Sequence, residues 1–309
     1  MAKKPIHIDC DPGVDDAIAI FLACCAGEAF DLRAVSTVAG NVPLELTARN
    51  ARIVREIAGV TDIPIHAGCP KPMIRPLVTA EDFHGSTGLM GIELFEPQLA
   101  LSDSHAVDAI IRSVCEHSDA ISLVITGPMT NVGAAIVQSP EIADRLERII
   151  VMGGADKEGG NITPHAEYNV YADPHAAEIV FNCGAEIVVL NLDVTHQLRM
   201  TEDRVANVRS VGTKIAGHVA SLMEATNILE KKANDWDAGP LHDPATILYL
   251  LRPDLFAGRR THVSVDMTEG ETLGQTRVTD DPDGNVLWID RADVDGVFAL
   301  MCTVLENAK

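Results

Sequence analysis

The sequence predicts an α/β fold: an open, mostly parallel central sheet with helices on both faces, closed by a C-terminal β-hairpin and extra helices. Three observations predict it. Short apolar runs alternate with helical patterns to about residue 200, the signature of strand-helix units. Most of these runs end in a polar or Gly-bearing turn, and in a parallel sheet such ends share one edge. Hydrophobic residues make up 47% of the 309-residue chain, enough for a substantial core.

Taken in order, residues 4–8 read as a buried first strand and 17–26, almost wholly apolar, as a helix. Residues 32–38 are strand-like; a helix follows over 43–57 and stops at Gly59, and 63–66 form a short strand. Residues 68–98 lose periodicity and carry four prolines and four glycines, a connection of the length usually kept as a lid or binding loop. Helix 104–117, strand 121–125, helix 131–137 and strand 148–152 come next. Asp173-Pro174 is a cap followed by a first-turn proline; it opens a helix that ends at Gly184, before a strand at 186–190. The alternation to this point is Rossmann-like.

After residue 200 the pattern changes. Helices are expected over 216–232 and 244–251, then strands at 261–265, 272–278 and 286–289. Asp283-Gly284 between the last two is a hairpin turn signal. A helix over 293–306 closes the chain. No repeat, low-complexity stretch or linker interrupts it, so residues 1–309 read as a single domain.

The net charge of −21 argues against a nucleic-acid surface or an anionic membrane as partner. It suits a small neutral or cationic ligand. No apolar run reaches the length of a membrane span. Lys3 and Lys4 run straight into the first strand, so no secretory signal is expected. The seven cysteines, odd in number and mostly within apolar segments, read as reduced residues of a cytoplasmic protein.

The most informative stretch is Asp9-Cys10-Asp11-Pro12-Gly13-Val14-Asp15-Asp16, with four carboxylates in eight residues between a strand and a helix. Pro12-Gly13 forces a tight turn that folds Asp11 back toward Asp15 and Asp16. One or two of these acids are explained as helix caps favoured by the dipole. Four together repel unless something cationic sits among them. An all-oxygen donor set suits a hard ion, calcium or magnesium, and no Cys or His cluster at zinc spacing competes.

Other strand ends add polar groups: Ala39-Gly40-Asn41, Thr126-Gly127-Pro128, Met152-Gly153-Gly154, Gly160-Asn161 with Glu167-Tyr168-Asn169, and Leu241-His242-Asp243-Pro244. Each alone is ordinary turn or cap chemistry, and Asp243-Pro244 reads equally as a helix start. Jointly they describe a site for a polyhydroxylated ligand with a metal in it.

With His84-Gly85-Ser86-Thr87-Gly88-Leu89, these motifs follow one another in an order that resembles the inosine-uridine-preferring nucleoside hydrolases, which cleave the N-glycosidic bond of ribonucleosides. The resemblance covers essentially the whole chain. It implies a calcium ion held by Asp11, Asp16, the main-chain carbonyl of Thr126 and Asp243. It implies Asp15 and Asn169, helped by Asn41, on the ribose 2′- and 3′-hydroxyls, with Asn161 and Glu167 on the 5′-hydroxyl. Met152 would line the sugar pocket and Asp9 would stand behind the ligands. A homodimer or homotetramer is common in the family.

The chemistry expected of such a site is attack by water, with Asp11 as general base, on a ribose that develops oxocarbenium character; inversion at the anomeric carbon follows. His242 is the candidate leaving-group acid, and His84 a second histidine for the base. Two departures from the family stand out. Residues 223–230 carry no aromatic where relatives often place one, Trp236 being the nearest, and Tyr168 stands where Phe is common. Two rival readings are a haloacid dehalogenase-type phosphatase, which also begins with Asp-x-Asp, and a ribonucleoside-binding protein without turnover. The first needs a later Lys and a second acidic pair, whereas this chain has its acidic pair in the same turn and polar strand ends, amides and carboxylates, that repel phosphate.

Overall fold

In the computed structural model, which describes residues 2–81, 85–116 and 119–308, the parallel half of the chain runs β1 (Lys4–Cys10), α1 (Val14–Cys25), β2 (Phe30–Thr37), α2 (Leu44–Ile57), β3 (Ile65–Ala67), α3 (Ala106–Cys115), β4 (Ser122–Ile125), α4 (Thr130–Gln138) and β5 (Arg148–Met152). It continues through α5 (Tyr168–Ala172), α6 (Pro174–Phe181), β6 (Ile187–Leu190), α7 (Leu192–Thr195), α8 (Glu202–Ser210), α9 (Lys214–Asn234) and α10 (Pro244–Leu251). The last elements are β7 (Phe256–Val265), β8 (Thr276–Asp280), β9 (Val286–Ala292) and α11 (Val294–Glu306).

One sheet holds all nine strands in the order β3-β2-β1-β4-β5-β6-β9-β7-β8. The strands from β3 to β9 pair in parallel, and only β7 runs against its neighbours. The expected open, mostly parallel sheet is therefore present. Its central strands are buried on both faces, as parallel strands are when helices cover them. Val124, Ile150 and Val188 point into a core shared with α1, α9, α10 and α11. Their neighbours Leu123, Ile125, Ile149, Val151, Ile187 and Val189 point into a second core under α3, α4 and α6. On β1 that second face is polar. His7 lies within 2.8 Å of Ser113 Oγ and 2.7 Å of Ser36 Oγ, and burial holds its imidazole down to about 3.

The hairpin sits elsewhere than the Asp283-Gly284 signal suggests. β8 and β9 do not pair; both pair with β7, which is twice the expected length. Thr261 is the pivot, facing Asp280 on one side and Val286 on the other. The turn at Gly284 packs against it so closely that a Cβ there would lie 2.2 Å from Thr261 O. The chain thus crosses over β7 and adds β9 between β7 and β6. The β7–β8 pair is the C-terminal hairpin, and residues 266–275 connect it. Helix α8 was not expected: only Val205 and Val208 of its nine residues are buried, so its apolar periodicity is faint.

Asp173 shows how a cap can join distant segments. Its Oδ1 accepts from Ala176 N at the start of α6, while Oδ2 accepts from Thr130 Oγ1 at 2.7 Å and Met73 N at 2.8 Å. Asp173→Ala removes the cap and strands a buried hydroxyl and an amide. We expect destabilisation on the order of 2–3 kcal/mol, read as a lower urea midpoint at unchanged slope.

Candidate active site

The strand order reverses at β1 and β4: connections from β1 run toward β3, and those from β4 run toward β9. At such a switch point the loops leave in opposite directions and open a crevice beyond the strands' carboxyl ends. Asp11 follows β1 and Thr126 follows β4, so both are delivered to that crevice. The loop after β2 brings Gly40 and Asn41, and β5 ends there with Met152.

Asp16 organises the acidic turn. Its Oδ2 accepts from Gly13 N at 3.0 Å, so the capping bond at the start of α1 falls to Asp16. The same carboxylate also accepts from Thr126 Oγ1 at 2.8 Å, Asn41 Nδ2 at 3.2 Å and Asp11 N at 3.3 Å. Asp243 behaves otherwise. It occupies the cap position of α10, yet its side chain makes no cap hydrogen bond. It turns instead to Asp15 and Asp16, and carboxylate oxygens of the three lie within 4.8 Å of one another.

Asp11 lies beside this trio, fully buried. Its Oδ2 accepts from Asn41 N at 2.7 Å, and its Oδ1 has no hydrogen-bond partner among the described residues. Two glycines make room for it. A Cβ on Gly40 would lie 2.1 Å from Oδ2, and one on Gly127 would lie 2.6 Å from Oδ1. Behind it, buried Asp9 accepts from Asn131 Nδ2 at 2.8 Å.

No Lys or Arg among the described residues forms an ion pair with any of these acids. Burial, then the Asp16 charge, pushes the Asp11 carboxyl well above the usual range. Burial and the neighbouring Asp15 charge do the same for Asp243. Asp15 is pushed up to about 7, by burial and then Asp16. A partnerless carboxylate oxygen beside three converging carboxyls fits a hard divalent cation, which returns each to the charged form.

Above the cluster opens a pocket of about 200 Å³. Asp15, Asn41, Thr126, Met152, Asn161, Glu167, Asn169, His242 and Asp243 all reach its wall, so the structure gathers these sequence-predicted residues at one place. Asp11 and Asp16 lie beneath, and His84 falls outside the described residues. Asn169 Nδ2 donates to Thr126 O at 2.8 Å and Met152 O at 3.1 Å, leaving the amide oxygen to a ligand. Asn161 is oriented the other way: its oxygen accepts from Tyr168 N, leaving the amino end. Glu167 accepts from Gly154 N, Asn169 N and Val170 N, and burial raises it to about 7. His242 Nδ1 lies 2.8 Å from Thr195 Oγ1.

The wall supplied by α9 consists of Thr226, Leu229, Glu230, Ala233 and Asn234; the sequence marked 223–230 for its lack of an aromatic but did not single out these residues. Their spacing of three to four residues was the available signal. Trp236 does not line the pocket; it packs between the Arg199 guanidinium, 3.8 Å from its ring centroid, and His196. The Tyr168 hydroxyl donates to Val78 O at 2.9 Å.

Comparison with known proteins gives a consistent result. The family model described as inosine-uridine preferring nucleoside hydrolase matches residues 6–299. The pyrimidine-specific ribonucleoside hydrolase RihA of Photobacterium profundum is 39% identical over 99% of both chains. RihA of Escherichia coli (strain SMS-3-5 / SECEC) is 41% identical over 89% of this chain and 88% of its own. Among solved structures, a purine-preferring ribonucleoside hydrolase from Gardnerella vaginalis superposes with a TM-score of 0.91 at 30% identity, covering 99% of both chains. The plant nucleoside hydrolase PpNRh1 gives 0.92 at 32%, again over 99% of both chains.

Two outcomes follow from the geometry. Gly40→Ala drives a methyl group into Asp11, so affinity for a divalent cation should fall at least about tenfold by titration calorimetry while circular dichroism is unchanged. Asp15 is protonated up to about 7 when folded and to about 3.9 when unfolded. Its proton-linked stability in metal-free protein is complete below the lower value and lost as pH rises through the higher. Asp15→Asn removes that loss, so its melting temperature should rise relative to wild type between about pH 5 and pH 8.

Proposed function

The chain belongs to the inosine-uridine preferring nucleoside hydrolase family and is an N-ribosyl hydrolase, and from that premise we propose that it works with calcium, through Asp11 as the base that activates water. The observation that carries this reading is the buried, partnerless Asp11 Oδ1 set beside the Asp15–Asp16–Asp243 trio. Asp11, Asp16, Asp243 and the Thr126 carbonyl would hold the ion. Bound there, calcium would supply the positive charge that keeps these carboxyls ionised, and would help to orient a sugar diol and acidify a water.

The chain's own groups do the rest. Asp15 and the Asn169 amide oxygen accept from the ribose 2′- and 3′-hydroxyls, while the Asn41 amide, donating to Asp11 O at 3.1 Å, holds the turn in register. The Asn161 amino group and Glu167 take the 5′-hydroxyl, fixing the ring against Met152. Positive charge that builds on the ribose ring as the base departs is stabilised by the carboxylates beneath it. Asp11 Oδ1 has an open lone pair for the proton of the attacking water, which enters opposite the leaving base and inverts the anomeric carbon. His242, held by Thr195, stands in the same pocket to meet the departing base. All seven cysteines are free, which suits a reducing, cytoplasmic setting.

The test is ribose release from a panel of nucleosides with and without a calcium chelator. Turnover should vanish with chelation and return with calcium rather than zinc. Asp11→Ala should lose about 10²–10⁴ in kcat while keeping its fold by circular dichroism. A rate within a few-fold of wild type would remove Asp11 from the base role.

A further inference from the structure

Departure of a nucleobase leaves an electron pair on its ring nitrogen, and a proton delivered to the base at that moment lowers the barrier. In the wall supplied by α9, the aromatic residues expected of relatives are absent, and a carboxyl group stands among Thr226, Leu229 and Ala233. Glu230 is only 5% exposed, yet it lines the pocket. Its Oε2 accepts from Asn234 Nδ2 at 2.7 Å, one helical turn on, and Oε1 accepts from none of the described residues.

Among the described residues Glu230 forms no direct salt bridge. The Arg199 charge acts on it from further off, while the Arg199 guanidinium lies over Trp236 and donates to Ala238 O at 3.3 Å. The stem of Glu230 is instead held by backbone. Gly239 approaches so closely that a Cβ there would lie 3.0 Å from Glu230 Cγ, and Gly239 N donates to Asn227 Oδ1 at 2.7 Å on the same helix. The carboxyl is thus fixed before any ligand arrives, at one wall of a pocket whose deep end is taken by the sugar residues.

The geometry points to Glu230 as a leaving-group acid, acting beside His242 on the nucleobase as the glycosidic bond breaks. This rests on the hydrolase reading of the same pocket. The bond between C1′ and the base nitrogen breaks with its electron pair going to the base, and the proton on Glu230 Oε1 passes to a ring heteroatom. The attacking water gives its oxygen to C1′ and a proton to Asp11, so the products are ribose and neutral base. Glu230 recovers its proton from solvent once the base has left.

Burial pushes the Glu230 carboxyl upward, against the Asn234 amide and the Arg199 charge, which pull it down. That is the direction a general acid needs. The other titratable groups on the pocket wall are Asp15, Glu167, His242 and Asp243.

The test compares natural nucleosides, inosine and uridine, with p-nitrophenyl β-D-ribofuranoside, whose leaving group departs as a stable anion and needs no acid. In the calcium-loaded full chain, Glu230→Gln should lower kcat on nucleosides by about 10²–10⁴-fold and change it less than about threefold on the nitrophenyl substrate. Wild-type kcat on nucleosides should fall at high pH, and that fall should disappear in the variant. Should the Gln variant fail to fold, Glu230→Ala assayed with added acetate serves instead, and acetate should restore nucleoside turnover. Equal losses on both substrates in a folded variant, or no loss on nucleosides, overturns the assignment. So does a selective loss confined to His242→Gln. Wild-type protein that releases ribose from neither inosine nor uridine overturns the calcium-hydrolase reading on which this assignment rests.

Discussion

The structure depends on a repulsion that the fold holds in place. Asp11, Asp15, Asp16 and Asp243 come from two turns and meet where water is scarce, and no basic side chain among the described residues stands between them. Removing charged carboxylates from water is unfavourable, and crowding them compounds it. Raised carboxyl pKa values relieve that strain with protons, and the cluster has the donors that could hold a metal ion in their place. The sheet's two cores, each several side chains deep on either face, supply the rigidity that keeps the acids from drifting apart.

The same arrangement explains why so many hydrogen bonds of the site are internal. Asn41, Thr126 and Asn169 each spend one end of the side chain or backbone on another site residue. Their remaining ends are thereby aimed at whatever enters the pocket. Binding a polyol then requires little reordering, since the rotamers are already chosen. Glu167 is the clearest case, a carboxylate held by three backbone amides at the start of a five-residue helix.

How much of this was legible in the sequence depended on distance along the chain. The acidic turn was, because four carboxylates within eight residues state their own problem. The strand-helix alternation was too, since buried parallel strands leave unbroken apolar runs. Asp243 was ambiguous: a cap position followed by proline is an ordinary helix start, and only the missing cap bond shows that its carboxyl is used elsewhere. Asp283-Gly284 misled because turn chemistry fixes a reversal but not the strand it returns to; Thr261 decides that through a contact more than twenty residues away. Glu230 was passed over because an acid on an amphipathic helix is unremarkable until the helix packs against a cavity. Tyr168 stood out in the sequence only as a replacement for Phe, and its hydroxyl holds a loop.

That loop has a mechanical meaning. Tyr168 holds Val78, Tyr171 O and its ring hold Arg75, and Asp173 holds Met73, so three consecutive tethers fasten the segment leading to Ala80, on the pocket wall, to one short stretch of chain. The same stretch carries Asn169 and is capped by Glu167. Two walls of the cavity are therefore bolted to a common beam, and a change that tilts α5 is passed to both.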